Sequence, residues 1–290
     1  NEILEGETIE IRVNIFEGQK QLVERINVIG NSVTDESVIR SEFLLDEGDP
    51  FNKLKLDQSI ARLKSRNIFG EIKYKITNGE NLNQKNIEIE VEEKPTGEIS
   101  AGAGIGTDGG SLSFNVTENN WLGRGLNVST NLSASAETIS GGLSVTDPNY
   151  NFSGNRLVYF ARNALNDKPG SGYKNNILST GISTSFEQYK RVYVSPGLSF
   201  SYDDLKVESS ASKGLQKQKG TFSDLAFNYG ITLDNRDKVY APTDGYISSF
   251  DQSLPIYADS PYIDNTFQFS KYQLITKNAV GAFKLYAATV

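Results

Sequence analysis

From position 224 the chain reads Asp224-Leu225-Ala226-Phe227-Asn228-Tyr229-Gly230-Ile231-Thr232-Leu233. Leu225, Phe227, Tyr229, Ile231 and Leu233 alternate with Asp224, Ala226, Asn228, Gly230 and Thr232, the period of two that sends successive side chains to opposite faces of a β-strand. The polar members decide what kind of sheet this is. A water-soluble sandwich shows Lys, Glu and Arg on its outer face, whereas here hydroxyls, amides and glycine dominate, as in the lining of a polar bore. The apolar face carries almost no charge, which matters because a lipid-facing charge at the bilayer midplane costs roughly 2 to 4 kcal/mol. The stretch is therefore read as one strand of a membrane-spanning β-barrel.

The same alternation extends in both directions. Leu112, Phe114 and Val116 oppose Ser113, Asn115 and Thr117; Leu126, Val128, Thr130 and Leu132 oppose Asn127, Ser129, Asn131 and Ser133. Further on, Leu178, Ile182 and Phe186 oppose Ser179, Gly181 and Ser185, and Val192, Val194, Leu198 and Phe200 oppose Ser195, Gly197 and Ser199. About eleven strands are expected between Gly97 and Val290, and because closed single-chain barrels have even strand numbers, the barrel is expected to be unfinished. Long hydrophilic connections are expected at Leu165 to Asn176, Asp203 to Gly220 and Pro255 to Asn265, with tight turns at Glu187 to Arg191 and Thr276 to Ala279. Asp234 to Gly245 breaks this long-short alternation. No run reaches the roughly 18 apolar residues that a membrane-crossing helix needs.

Upstream of Lys94 and Pro95 the composition changes to charged residues with helical periods. Thr8 to Phe16 alternates as a half-buried strand and is expected to close a preceding domain. A strand at Leu22 to Ile29 is followed by a helix capped by Thr34 and running to about Leu45. A second helix, about Lys53 to Arg66, places Leu56, Ile60 and Leu63 on one stripe. Strands at Glu71 to Ile76 and Asn86 to Glu92 complete a β-α-α-β-β order. The expected division is 1–16, 17–95 and 96–290. Asn1 opens the chain and Met is absent, so a fragment of a longer protein is expected.

A formal net charge of -7 opposes binding to a phosphate backbone, so no nucleic acid partner is expected. With neither Cys nor His, the chain lacks the thiol nucleophile, the commonest general base and the commonest transition-metal ligands. It is not expected to be an enzyme, and no catalytic residue, cofactor or metal is assigned. Gly104-Ile105-Gly106-Thr107-Asp108-Gly109 matches a dinucleotide-binding pattern, but an alternating strand follows it where a helix would be required. Asp203 with Asp204, and Asp234 with Asp237, are read as solvated loop carboxylates without a basic partner.

Several segments are recognisable together. Val28-Ile29-Gly30-Asn31, Asp49-Pro50-Phe51 and Leu63 to Gly70 resemble a POTRA domain, and Glu93-Lys94-Pro95-Thr96-Gly97 resembles the junction into an Omp85 barrel. Gly104 to Gly110, Asn120-Trp121-Leu122-Gly123-Arg124-Gly125, Asp147-Pro148-Asn149-Tyr150, Leu233-Asp234-Asn235-Arg236-Asp237 and Pro242-Thr243-Asp244-Gly245 add to the likeness. The chain thus resembles the Omp85 family, and within it the branch that forms the central subunit of the bacterial outer-membrane assembly machine. The resemblance implies an α+β POTRA domain at 17–95, the last strand of another POTRA domain at 1–16, and an antiparallel transmembrane β-barrel truncated to about eleven of sixteen strands. It implies outer-membrane location with a periplasmic POTRA domain, and folding and insertion of β-barrel clients as the function. Unfolded outer-membrane clients, accessory lipoproteins and outer-membrane lipid are the implied partners. A TamA-like or two-partner secretion transporter of the same family stays open, as does a passive porin, because the family's Arg-Gly-Phe lumen motif would lie beyond Val290.

Three groups of residues are candidates for function. The first barrel strand, Glu98, Ile99, Ser100, Ala101, Gly102, Ala103, Gly104 and Ile105, offers little side-chain bulk, so it should pair weakly and form a lateral seam at which a client strand is templated. Asn120, Trp121, Leu122 and Gly123 form a turn in which the only Trp is expected to anchor at the headgroup level. In the docking domain the exposed strand Leu22 to Ile29 and a helix bearing Arg40 and Glu42 are possible partner contacts.

Overall fold

A computed structural model describes residues 2–5, 8–11, 19–106, 109–239, 241–276 and 279–290, the first two segments as backbone only. The chain splits into two compact units, Asn1–Lys94 and Pro95–Val290.

In the first unit a short antiparallel pair, β1 (Glu2–Glu5) and β2 (Thr8–Ile11), precedes the main fold. The expected strand from Thr8 is thus present to Ile11, and its continuation lies outside the described residues. There follow β3 (Leu22–Ile29), α1 (Glu36–Arg40), α2 (Lys53–Ser65), β4 (Phe69–Asn78) and β5 (Gln84–Glu93). The sheet order is β3-β5-β4, with β3 parallel to β5 and β4 antiparallel to it. Parallel neighbours need a long crossover, which the two helices supply. Leu56, Ile60 and Leu63 of α2 meet Ile87, Ile89 and Val91 of β5 in one buried cluster with Val23, Ile26, Ile39 and Leu45.

Helix α1 stops well short of Leu45. The segment after it is diverted: Leu44 N donates to Ser59 Oγ at 2.8 Å, and Gly48 N donates to Val23 O at 2.7 Å. Leu45 still enters the core, at 1% exposure, but from a loop. The helix is capped at Asp35 and not at Thr34. Thr34 N instead donates to the Glu93 carboxylate at 2.6 Å, alongside Ser32 N at 3.0 Å and Val33 N at 2.9 Å. One carboxylate from the end of β5 therefore serves the donors that precede α1. In α2 the cap is local, with Asn52 Oδ1 accepting from Lys55 N.

The second unit is one eleven-stranded antiparallel meander. Its strands are β6 (Gly97–Gly106), β7 (Gly109–Trp121), β8 (Leu126–Ser135), β9 (Thr138–Tyr150), β10 (Asn155–Lys168) and β11 (Tyr173–Tyr189). They continue as β12 (Val192–Val207), β13 (Gly220–Asp234), β14 (Gly245–Ala258), β15 (Asp264–Thr276) and β16 (Ala279–Thr289). Each pairs with its sequence neighbours, so β6 and β16 are the two edges. Register places like with like: Leu198 opposes Phe227 and Phe200 opposes Leu225, while Ser199 opposes Ala226. No second layer covers the apolar face among the described residues. Phe227 is 38% exposed, Leu198 44% and Ile231 45%, and the buried apolar cluster ends at Val91. A soluble sandwich would bury these side chains, so the exposed apolar face is that of a membrane barrel wall.

All three expected long loops are shorter than their polarity suggested, the one expected at Pro255 to Asn265 shrinking to 259–263 because β14 runs to Ala258 and β15 begins at Asp264. β10 runs to Lys168 and β11 begins at Tyr173, because Asn166 pairs with Asn175 and Asp167 with Lys174. Likewise Asp203 and Asp204 belong to β12, paired with Ile177 and Asn176, and not to a loop. The connection after Val207 carries a short helix, α3 (Lys213–Gln216).

Candidate functional site: sheet edges and hairpin turns

Among the described residues β6 pairs with β7 alone, from Gly97 opposite Glu118 to Gly106 opposite Gly109. Ile99 and Ile105 lie open at 73% and 95% exposure. Across the pair the glycines make room for serine hydroxyls: a Cβ at Gly102 would lie 2.8 Å from Ser113 Oγ, and one at Gly104 3.2 Å from Ser111 Oγ. The strand is fastened at its beginning. Thr96 O accepts from both Asn119 N at 3.2 Å and Asn119 Nδ2 at 3.1 Å, and Thr96 Oγ1 donates to Glu118 Oε1. Beyond Gly97 the ladder to β7 holds it, with one side-chain bond from Asn115 Nδ2 to Ser100 Oγ at 3.3 Å, while Ala101, Gly102, Ala103 and Gly104 add little side-chain contact. The nucleotide-like glycines Gly104 and Gly106 thus end one strand and Gly109 begins the next, with Thr107 and Asp108 outside the described residues.

The turn after β7 has an unforeseen twin. Asn120 Oδ1 accepts from Gly125 N at 2.8 Å, and Asn120 N donates to Glu118 Oε1 at 2.8 Å. In the turn after β9, Asn149 Oδ1 accepts from Gly154 N at 2.7 Å, and Asn149 N donates to Asp147 Oδ1 at 3.0 Å. Both asparagines are buried, and both turns place apolar residues in the left-handed region, Leu122 at φ 54 and Phe152 at φ 57. The shared spacing, an acid, then Asn two residues on, then Gly five further, was the signal available in the sequence.

The long connection after β13 is a second built element. Asp234 is not a lone carboxylate: Arg236 Nη2 lies 2.6 Å from its Oδ2 and Arg236 Nε 2.8 Å from its Oδ1. Asp204 also has a cation, with Lys206 Nζ at 3.3 Å. Asp237 accepts from Thr243 Oγ1 at 2.5 Å, from Asp244 N at 3.0 Å and from Thr243 N at 2.9 Å. Those hydrogen bonds, that of the Thr243 hydroxyl foremost, hold its carboxyl well below the usual carboxylate range. Gly245, at φ 94, closes the loop where a Cβ would meet Asn235 O at 2.2 Å. These residues brace a loop and do not form an acid–base pair.

In the first unit β3 is an edge, but its backbone is already engaged. Ile26 N donates to Glu47 Oε1 at 2.9 Å, Arg40 Nη2 donates to Ile26 O at 2.7 Å, and Val23 N donates to Asp49 O at 2.8 Å. Arg40 also pairs with Glu36 at 2.7 Å and approaches Glu47 at 3.7 Å. Arg40 is therefore part of a clamp on the strand edge. Glu42, expected on an exposed helix, lies beyond the end of α1 and is 5% exposed. It holds Arg62 at 3.2 Å and Arg66 at 3.5 Å, so it braces α2 from within and is not displayed to a partner.

Against known proteins, residues 120–289 match the Omp85 superfamily domain, and residues 21–94 match the POTRA model, described as a surface antigen variable number repeat. The outer membrane protein assembly factor BamA of Neorickettsia risticii is 27% identical over 252 residues, covering 82% of this chain and 32% of that protein. BamA of Neisseria meningitidis serogroup B is 28% identical, covering 79% of this chain and 29% of that protein. The chain thus spans about a third of the length of these relatives. Among solved structures, BamA from Haemophilus ducreyi lacking POTRA domains 1-3 superposes with a TM-score of 0.77 at 22% identity, covering 93% of this chain and 56% of that one. CdiB from Escherichia coli shares the fold at a TM-score of 0.64 and 12% identity, covering 93% of this chain and 54% of that one. A one-layer antiparallel meander that follows a β-α-α-β-β unit in the chain, with the family model matching residues 120–289, more than half of the chain, makes this chain a member of the Omp85 superfamily.

Proposed function

We propose that this chain is the membrane-proximal docking unit and part of the barrel of a factor that folds and inserts β-barrel proteins into the outer membrane, with the docking unit in the periplasm. The observation that carries this reading is β6: pinned to β7 at Thr96 and, from Ala101 to Gly104, nearly free of bulky side chains, so that little but backbone hydrogen bonding can hold a neighbour on its outer side. When its outer side is released, such a strand offers a row of backbone donors and acceptors to which an incoming client strand adds, hydrogen bond by hydrogen bond. In lipid each unsatisfied backbone group costs several kcal/mol, so satisfying that row, together with burial of the client's apolar face, drives insertion without covalent chemistry. Clients are unfolded outer-membrane β-barrels, and accessory lipoproteins are the expected helpers. The relatives' printed names as assembly factors support this reading.

A polypeptide transporter of the same superfamily is the competing reading, since CdiB shares the fold. Cysteine scanning separates the two readings, because this chain contains no Cys. Single cysteines at positions 98–105 of the full-length protein are expected to crosslink to the terminal strand of a client arrested during assembly. Crosslinks confined to the barrel's own last strand during active assembly would refute templating, and a client crosslinked only from bore-facing positions such as Ser199 and Ser201 would favour transport.

A further inference from the structure

The two twin turns end in side chains that water does not favour. In the first, Trp121 is 46% and Leu122 75% exposed; in the second, Tyr150 is 51% and Phe152 65% exposed. Leu122 and Phe152 also occupy left-handed backbone positions, where Gly or Asn would be unstrained. An exposed apolar side chain on a strained backbone is doubly unfavourable in water, and the arrangement occurs twice. Each turn is stiffened by its buried Asn and by the acid that receives the Asn N–H, so the tips are held outward by design of the turn. Trp121 pairs across the hairpin with Leu126, whose alternation partners Val128 and Leu132 lie on the apolar face, so the tip continues the lipid-facing surface. The next turn at the same end carries Lys190, a cation suited to headgroup phosphates, beside Arg191, whose guanidinium donates to Asn235 Oδ1.

We propose that the turns 121–125 and 150–154 form a paired element that dips into the headgroup layer of the leaflet on the chain-entry side and fixes the β7–β10 hairpins there. Trp121 and Tyr150 sit at the polar–apolar boundary, and Leu122 and Phe152 reach the first acyl carbons. This rests on the lipid-facing reading of the sheet.

Trp121 is the single Trp of this chain, so its fluorescence reports on one turn. The full-length protein, with any Trp elsewhere replaced by Phe, is reconstituted into phosphatidylcholine vesicles brominated at shallow or at deep acyl positions. Shallow bromines are expected to quench at least twofold more than deep ones, with weak quenching by acrylamide. A protein that floats with the vesicles but is quenched by acrylamide alone, or most by deep bromines, overturns the proposal and leaves the barrel reading intact. A protein that does not float overturns both. In the double variant Leu122→Asn and Phe152→Asn, which relieves the backbone and keeps the turns, the emission is expected to shift to the red and bromine quenching to halve. Unchanged emission and quenching would also overturn the proposal.

Discussion

Glu93 gathers the N–H groups of Ser32, Val33 and Thr34 and the Ser32 hydroxyl onto one carboxylate. Partial burial pushes its carboxyl upward, but the hydrogen bonds from Thr34, Ser32 and the Val33 backbone outweigh it and bring the pKa to about 2. The sign follows directly. The folded value lies below that of an unfolded Glu, near 4.3, so the stabilisation is fully present above that pH and is lost as pH falls towards about 2. Glu93→Gln is expected to cost about 1 kcal/mol after solvent screening, and to flatten the acid limb of stability between those two values. Hydrogen exchange of the Ser32–Thr34 amides, compared at pH 6 and pH 3, measures it; equal protection in both proteins at pH 6 would show that the carboxylate contributes nothing. No local pattern announces this cap, because Glu93 lies about sixty residues from its partners in sequence, and only the parallel pairing of β3 with β5 brings them together.

At the scale of elements, strands and helices follow two rules, and only one of them is visible in hydropathy. Period-two alternation located β7, β8, β12 and β13 because a face buried in lipid imposes it residue by residue. It did not show how far the strands continue. Asn166, Asp167, Asn175 and Lys174 are polar yet remain laddered, since backbone pairing and side-chain bonds such as Asn166 to Asn175 at 2.9 Å need no apolar face. Helix α1 failed for a related reason: its expected second half is recruited by long-range bonds to Ser59 and Val23. The small residues of β6 were legible in the sequence, whereas the engaged edge of β3 was not, because Glu47 and Arg40 act on Ile26 from another element. For that edge, Arg40→Ala combined with Glu47→Ala is expected to speed exchange of the Ile26 amide at least tenfold while leaving Ile87, buried in β5, unchanged. Equal exchange before and after would mean that the clamp does not guard the strand.

For the molecule as a whole, the two faces of the eleven-stranded sheet should respond oppositely to charge. Leu198 and Ser199 are sequence neighbours on opposite faces of β12. Leu198→Arg is expected to destabilise the barrel by about 2 to 4 kcal/mol, and Ser199→Arg by about 1 kcal/mol or less. Urea titration in detergent micelles or vesicles, read by heat-modifiable gel mobility, gives both values. Equal costs would mean that the apolar face does not meet hydrocarbon.

The lengths of β11 and β12, 17 and 16 residues, carry a consequence of their own. At about 3.3 Å per residue each extends roughly 55 Å, and inclined by about 40° it rises some 40 Å, against an apolar band about 25 Å tall. Roughly 15 Å of ordered ribbon, shared between the two rims, therefore stands clear of the lipid. An antibody raised against the folded protein and binding such a rim would meet a fixed relief of laddered backbone, so its recognition should vanish when the protein is unfolded and should not be reproduced by short peptides.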